Sequence, residues 1–127
     1  MRLLLDTHAL IWSVGDSHEL AGTARTSIVD PANTVVVSVV SLWEAAVKEA
    51  TGKLVLHEDL GDAAAERGFD VLPVWAEHAR AMRDLPLHHR DPFDRMLVAQ
   101  ARHEGLTLVT ADRRLEAYSV AVLRADG

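Results

Sequence analysis

An α/β fold with a central parallel sheet of about five strands is predicted by three features of the chain. Short apolar, often β-branched runs alternate with longer helix-like stretches, the pattern of βαβ units. A length of 127 residues with 49% hydrophobic and 25% charged residues describes one ordered domain, 1–127, able to bury a core. Acidic residues also recur where apolar runs end or helices begin: Asp6, Glu44, Asp94 and Asp112. In a parallel sheet those points share the edge at which open α/β folds bind ligands.

The elements follow in order. Leu3-Leu4-Leu5 marks a first strand over 2–5, followed by helices over 8–14 and 20–29. The loop Asp30-Pro31-Ala32-Asn33 leads to a second strand, 34–39, around Val35-Val36-Val37. A helix over 41–51 stops at Thr51-Gly52, and a further helix covers 58–68. Strand 70–74 and helix 75–84 precede the loop from Leu85 to Pro92. The strongest helical pattern covers 92–104, with Phe93, Met96, Leu97, Gln100 and Ala101 on one face and Gly105 as the stop. Strand 106–110, helix 112–118 and strand 120–124 complete the chain, which has no repeat, low-complexity tract or linker.

Composition removes several function classes. No apolar stretch nears the ~18 residues that span a bilayer, and the apolar part of Met1-Arg2-Leu3-Leu4-Leu5-Asp6 is too short for a signal peptide. With no cysteine there are no disulfides and no thiolate metal sites, and a cytoplasmic location is expected. A net charge of −6 argues against coating nucleic acid by general attraction, and suits a basic protein partner.

Each acid has an ordinary structural use. Asp6 can cap the first helix, and Ser41-Leu42-Trp43-Glu44 fits a capping box in which Glu44 returns to the Ser41 amide. Asp91-Pro92 reads as a cap with Pro at the first helical position, Asp94 sits in the favourable first turn, and Asp112 can cap the segment after it. Convergence would change that reading. Carboxylates ~5 Å apart repel by about 3 kcal/mol per pair at an effective dielectric near 20, against about 1 kcal/mol for a cap. A compensating charge is then required. With no thiols and no paired histidines, a hard cation such as Mg²⁺ or Mn²⁺ fits.

Four segments together resemble the PIN-domain family. They are Leu3-Leu4-Leu5-Asp6-Thr7-His8, Val37 to Lys48 around Glu44, Asp91-Pro92-Phe93-Asp94-Arg95-Met96-Leu97-Val98-Ala99-Gln100-Ala101, and Leu108-Val109-Thr110-Ala111-Asp112. Their order and spacing agree from Met1 to about Leu123, and the likeness is greatest to VapC-type toxins of bacterial toxin–antitoxin pairs. The resemblance implies a three-layer α/β/α domain and an Mg²⁺- or Mn²⁺-dependent endoribonuclease. It further implies a homodimer, held in check by an antitoxin whose C-terminal segment lies in a groove near the site. By position the acidic set is Asp6, Glu44, Asp94 and Asp112, with Asp91 as a cap. On this basis metal-activated water cleaves the RNA phosphodiester to a 5′-phosphate and a 3′-hydroxyl, with Glu44 orienting or deprotonating the water.

The remaining residues are less specific. Thr7 and Ser41 either donate to a ligand or satisfy helix-start amides. Arg90, Arg95, Arg113 and Arg114 either hold RNA phosphates, offset the acids or lie in solvent. His88-His89 reads as exposed loop, and core packing is the default for Trp12, Trp43 and Trp75, an exposed one marking a partner surface instead. A haloacid dehalogenase-type phosphatase needs a second acid where His8 stands, and a receiver-like domain needs paired acids after the first strand. An inert PIN-like domain that binds a protein or RNA without cutting is the remaining alternative.

Overall fold

A computed structural model describes residues 1–127. It holds five strands, β1 (Arg2–Leu5), β2 (Thr34–Ser38), β3 (Asp70–Leu72), β4 (Thr107–Thr110) and β5 (Val122–Arg124), in one parallel sheet of order β3-β2-β1-β4-β5. Six α-helices connect them: α1 (Thr7–Val14), α2 (Gly22–Val29), α3 (Val39–Ala50), α4 (Leu60–Glu66), α5 (Ala76–Arg83) and α6 (Pro92–Glu104). The predicted helix over 112–118 is a short 3₁₀ helix, Arg113–Ala117. No helix is long and apolar enough to cross a membrane.

The central strands are covered on both faces, and their side chains alternate between two cores. Leu3, Leu5, Val35, Val37 and Val109 pack with Leu10 of α1, Ile28 of α2 and Ala64 of α4. Leu4, Val36 and Leu108 face the other way, toward Leu97, Val98 and Ala101 of α6. The result is the α/β/α sandwich. Helix α3 spans the boundary, sending Ala45 into the first core and Val40 into the second.

Most elements fall within two residues of their expected places, and the departures have local causes. Helix α3 begins at Val39, not near residue 41, because the Ser38 hydroxyl accepts the Val40 amide and caps it. Ser41 and Glu44 therefore form no capping box. Strands β3 and β5 are the sheet edges and keep only three residues each, shorter than the expected 70–74 and 120–124. Helix α6 covers its expected span, with Asp91 accepting the Phe93 and Asp94 amides, Pro92 first, and Gly105 at φ 68° as a left-handed stop.

Strand order decides where a site can form. From β1 the chain moves to β2 and β3 on one side, and later to β4 and β5 on the other. The crevice beyond the carboxyl ends of β1 and β4 is thus the topological switch point. Asp6 follows β1 directly, Asp112 lies two residues beyond β4, and the Asp6 amide donates to the Val109 carbonyl at 3.0 Å.

Candidate functional site

All four predicted acids line one cleft at this crevice, of about 340 Å³, together with Asp91, His8, Trp12, Lys48, Ala111 and Arg114. Five carboxylates thus face two permanent cations, Lys48 and Arg114. A larger cleft of about 460 Å³ beside Ile28, Arg67 and Phe69 contains one acid, Asp30. The acidic cleft is where chemistry can occur.

Each acid is held by its element. Asp6 is buried and caps α1, its Oδ1 accepting the Ala9 amide at 2.8 Å. Burial pushes its carboxyl up, against the Thr110 hydroxyl and the Ala9 amide, and the Glu44 charge adds to the rise. Asp94 lies in the first turn of α6 with its Oδ2 at 2.9 Å from His89 Nε2. Its pKa is pushed up to about 6, first by burial, with the charges of Asp91, Asp6 and Glu44 adding to it against the His89 hydrogen bond. Asp112 behaves differently. Arg114 donates from Nε and Nη2 to its two oxygens at 3.0 and 2.9 Å, and holds its carboxyl below the usual range.

Glu44 is buried in the second turn of α3 with both oxygens occupied. Oε1 accepts the Thr7 hydroxyl at 2.6 Å, and Oε2 accepts Lys48 Nζ at 2.6 Å. Thr7 also meets the Ser41 hydroxyl at 3.1 Å. Thr7 and Ser41 thus fix Glu44 across two elements instead of binding helix-start amides. Glu44 in turn raises the Lys48 ammonium pKa through their hydrogen bond.

Three expectations are overturned here. His89 is not exposed loop: it is 8% accessible, and its Nε2 lies between Asp94 and Asp112, at 2.9 and 3.5 Å. Its backbone is fixed by Tyr118, whose hydroxyl accepts the His89 amide at 3.1 Å. Nothing local in Leu87-His88-His89-Arg90 announces this, because Tyr118 lies 29 residues away. Arg95 neither holds phosphate nor offsets the acids. It is buried, donating to the carbonyls of Pro86, Met82 and Leu85 and to the Tyr118 hydroxyl, and so pins the loop that carries His89. Trp43 and Trp75 are surface residues, 61% and 54% exposed, Trp43 standing edge-on to Phe93 at 4.9 Å.

The donor set suits a divalent cation. It is rich in carboxylate oxygen, has no thiolate, and holds more negative charge than Lys48 and Arg114 offset. Asp94, His89 and Asp112 each offer a ligand atom within 4.8 Å of the others.

The PIN domain family model matches residues 3–121. The chain belongs to the PIN-domain family. Among curated proteins none matches this PIN domain in sequence. Its fold is similar to that of VapBC2 from Rickettsia felis, bound to a DNA fragment from their promoter, at TM-score 0.72 and 15% identity, covering 99% of this chain and 100% of that one. It is also similar to VapBC-5 from Mycobacterium tuberculosis, a member of the VapBC family of toxin–antitoxin systems, at TM-score 0.58 and 20% identity over 99% and 98% of the chains. FitAcB from Neisseria gonorrhoeae gives TM-score 0.58 and 19% identity over 95% and 96%. PIN domains are generally nucleases and typically use divalent metals.

Proposed function

We propose that this PIN domain is an Mg²⁺- or Mn²⁺-dependent endoribonuclease, the toxin of a type II toxin–antitoxin pair. One observation carries the proposal: Asp6, Glu44, Asp94 and Asp112, distant in sequence, line a single cleft at the switch point of the sheet. Asp6 and Asp94 are the principal cation ligands. They are the two whose carboxyls burial pushes up, so a cation there offsets the largest uncompensated charge. Asp112, already tied to Arg114, contributes a further ligand.

When bound, the cation neutralises charge at phosphorus and makes water nucleophilic near neutral pH. The chain's residues do the rest. Glu44, held by Thr7, orients the attacking water and takes its proton on Oε2 once Lys48 Nζ gives way. The new P–O bond forms as the bond to the 3′ oxygen breaks, and that oxygen takes a proton from solvent. Arg114, exposed at the rim, can steady a flanking phosphate.

Two surfaces support the partners. Val39, Trp43 and Val47 form an exposed apolar stripe at four-residue spacing on α3, suited to a homodimer contact. A groove lined by Ile11, Val14, Val55, Leu56 and Leu60 suits an apolar antitoxin segment, and the acidic cleft suits its basic residues. The relatives include a member of a toxin–antitoxin family, which accords with this reading.

The second reading, an inert PIN-like domain, draws on the pairing of Glu44 with Lys48 and of Asp112 with Arg114. RNA cleavage with Mg²⁺ or Mn²⁺ against EDTA separates the two. We expect metal-dependent cleavage that Asp6→Asn lowers by more than ~10²-fold, beyond the 10–100-fold effect of a supporting group. The variant's far-ultraviolet circular dichroism should remain native. Undiminished cleavage by Asp6→Asn refutes the assignment.

A further inference from the structure

We propose that His89 is a nitrogen ligand to the same cation as Asp94 and Asp112, which turns an oxygen-only centre into a mixed one that favours Mn²⁺ over Mg²⁺. This rests on the metal-dependent reading above and specifies the ligand set. His89 Nε2 stands 2.9 Å from Asp94 Oδ2 and 3.5 Å from Asp112 Oδ2. Two donors held ~2.1 Å from one octahedral ion and at right angles to each other stand ~3.0 Å apart. The His89–Asp94 pair already has this spacing, and Asp112 Oδ2, 3.5 Å from His89 Nε2, lies inside the ~4.2 Å that two opposite ligands on such an ion span.

The tautomer is also open. His89 Nδ1 bonds to nothing within the chain, and it is not among the buried atoms left without a partner, so it meets solvent. A proton on Nδ1 leaves the Nε2 lone pair free to face the cleft. His78 supplies the contrast. Its donor atom also lies within 4.8 Å of those of His103 and Glu104. But His78 Nδ1 accepts the Trp75 amide at 3.0 Å and faces the Gln100 amide at 3.3 Å, which puts the ring proton on Nε2. That proton goes to Glu104 Oε1 at 2.9 Å, and no lone pair remains for an ion.

The loop bearing His89 is also braced from below. Tyr118 accepts its amide, and buried Arg95 binds Tyr118, the Leu85 and Pro86 carbonyls where the loop begins, and the Met82 carbonyl of α5. Such bracing fixes a ligand before the ion arrives. An imidazole suits first-row transition ions, whereas Mg²⁺ prefers hard oxygen in strict octahedral geometry.

The test is electron spin-echo modulation of the Mn²⁺-loaded full chain, read without any activity assay. We expect modulation from a coordinated ¹⁴N in the wild type, altered by ¹⁵N-histidine labelling. His89→Gln should abolish it, and His8→Gln, which alters the histidine that lines the cleft, should not. Calorimetry should show the Mn²⁺ to Mg²⁺ affinity ratio falling ~10-fold in His89→Gln, at the lower end of such ligand-shell effects. Mn²⁺ bound without nitrogen modulation, or modulation that survives His89→Gln, overturns the proposal while leaving the metal cleft intact. Failure of Mn²⁺ to bind wild type, with Asp6→Asn indistinguishable from it, overturns the metal-dependent reading itself.

Discussion

Both ends of helix α6 pair a carboxylate with a buried histidine, and the two pairs behave in opposite ways. At the first turn, Asp94 meets His89 at 2.9 Å in a cleft shared with Asp6, Glu44, Asp91 and Asp112. At the last residue, Glu104 meets the fully buried His78 at 2.9 Å, and both ring nitrogens of His78 have partners. The contacts are alike; the surroundings are not. At Asp94 burial first and neighbouring carboxylates second raise the pKa, whereas the Glu104 pair closes a local hydrogen-bond circuit with Trp75 and Gln100. One end is poised to take up charge, and the other only holds helices together. Sheet topology makes the difference, since only the first lies beyond the carboxyl ends of β1 and β4.

The sharpest way to break this comparison is to neutralise each carboxylate in turn. Asp94→Asn should cut metal-dependent RNA cleavage by more than ~10²-fold. The same change should stabilise the metal-free protein at pH 7 by on the order of 1–2 kcal/mol, because the fold already favours the protonated form. Glu104→Gln should leave cleavage within about twofold, since its amide oxygen still accepts the His78 proton. Equal losses at both ends, measured by gel-resolved RNA cleavage and urea unfolding, would dissolve the distinction.

His78→Ala tests the structural end. It leaves a cavity and strips partners from the Trp75 amide, Gln100 and Glu104, so unfolding should become easier by about 3 kcal/mol. Calorimetric affinity for Mn²⁺ should not change. A variant as stable as wild type would show that the buried circuit contributes little.

How visible these two ends were from sequence differs in the same way. Asp94 was legible because capping, spacing and an apolar helix face all lie within a few residues of it, as they do for Asp6 after Leu3-Leu4-Leu5. The sheet followed from the same local alternation, except at the edge strands β3 and β5, where pairing on one side only shortens the ladder. His89, Arg95 and His78 were not legible, because their roles depend on partners far along the chain: Tyr118, the loop carbonyls and Glu104. Trp43 misled for a related reason. Its size favours burial, but the register of α3, set by Ser38, turns it to solvent.

Acidity distinguishes the ends through the whole molecule's stability. Asp94 has its pKa raised from 3.8 to about 6, so the fold holds that proton more tightly than the unfolded chain does. The stability this adds is complete below pH 3.8 and is lost as pH rises through about 6. Asp6, shifted in the same direction by burial, adds to the loss. Metal-free protein should therefore lose on the order of 2 kcal/mol from these groups between about pH 4 and 7. Mg²⁺ at ten times its Kd should restore about 1.4 kcal/mol. Thermal melts across this range, with and without Mg²⁺, check both signs, and an unchanged slope on adding the ion contradicts a cation among the acids.

The smallest effect concerns Lys48, the ammonium that stands where a cation's charge is needed. It pairs with Glu44 Oε2 at 2.6 Å one turn along α3, partly open to solvent. Removing it by Lys48→Met should change stability by no more than about 1 kcal/mol, because the ammonium is partly solvated and Oε2 of the buried Glu44 borders the cleft, where water can take its place. Its effect on the ion should be larger than its effect on the fold. A positive charge beside the cleft repels an incoming divalent cation, so the Mg²⁺ Kd should fall about threefold, roughly the 0.6 kcal/mol expected of a partly screened charge. Titration calorimetry at low and high salt reads this directly, with the gain shrinking as salt rises. A weaker Mg²⁺ affinity in Lys48→Met would instead show that Lys48 is needed to hold Glu44 in place, and Glu44 would then resemble the braced Glu104 end of α6 more than the charge-poised Asp94 end.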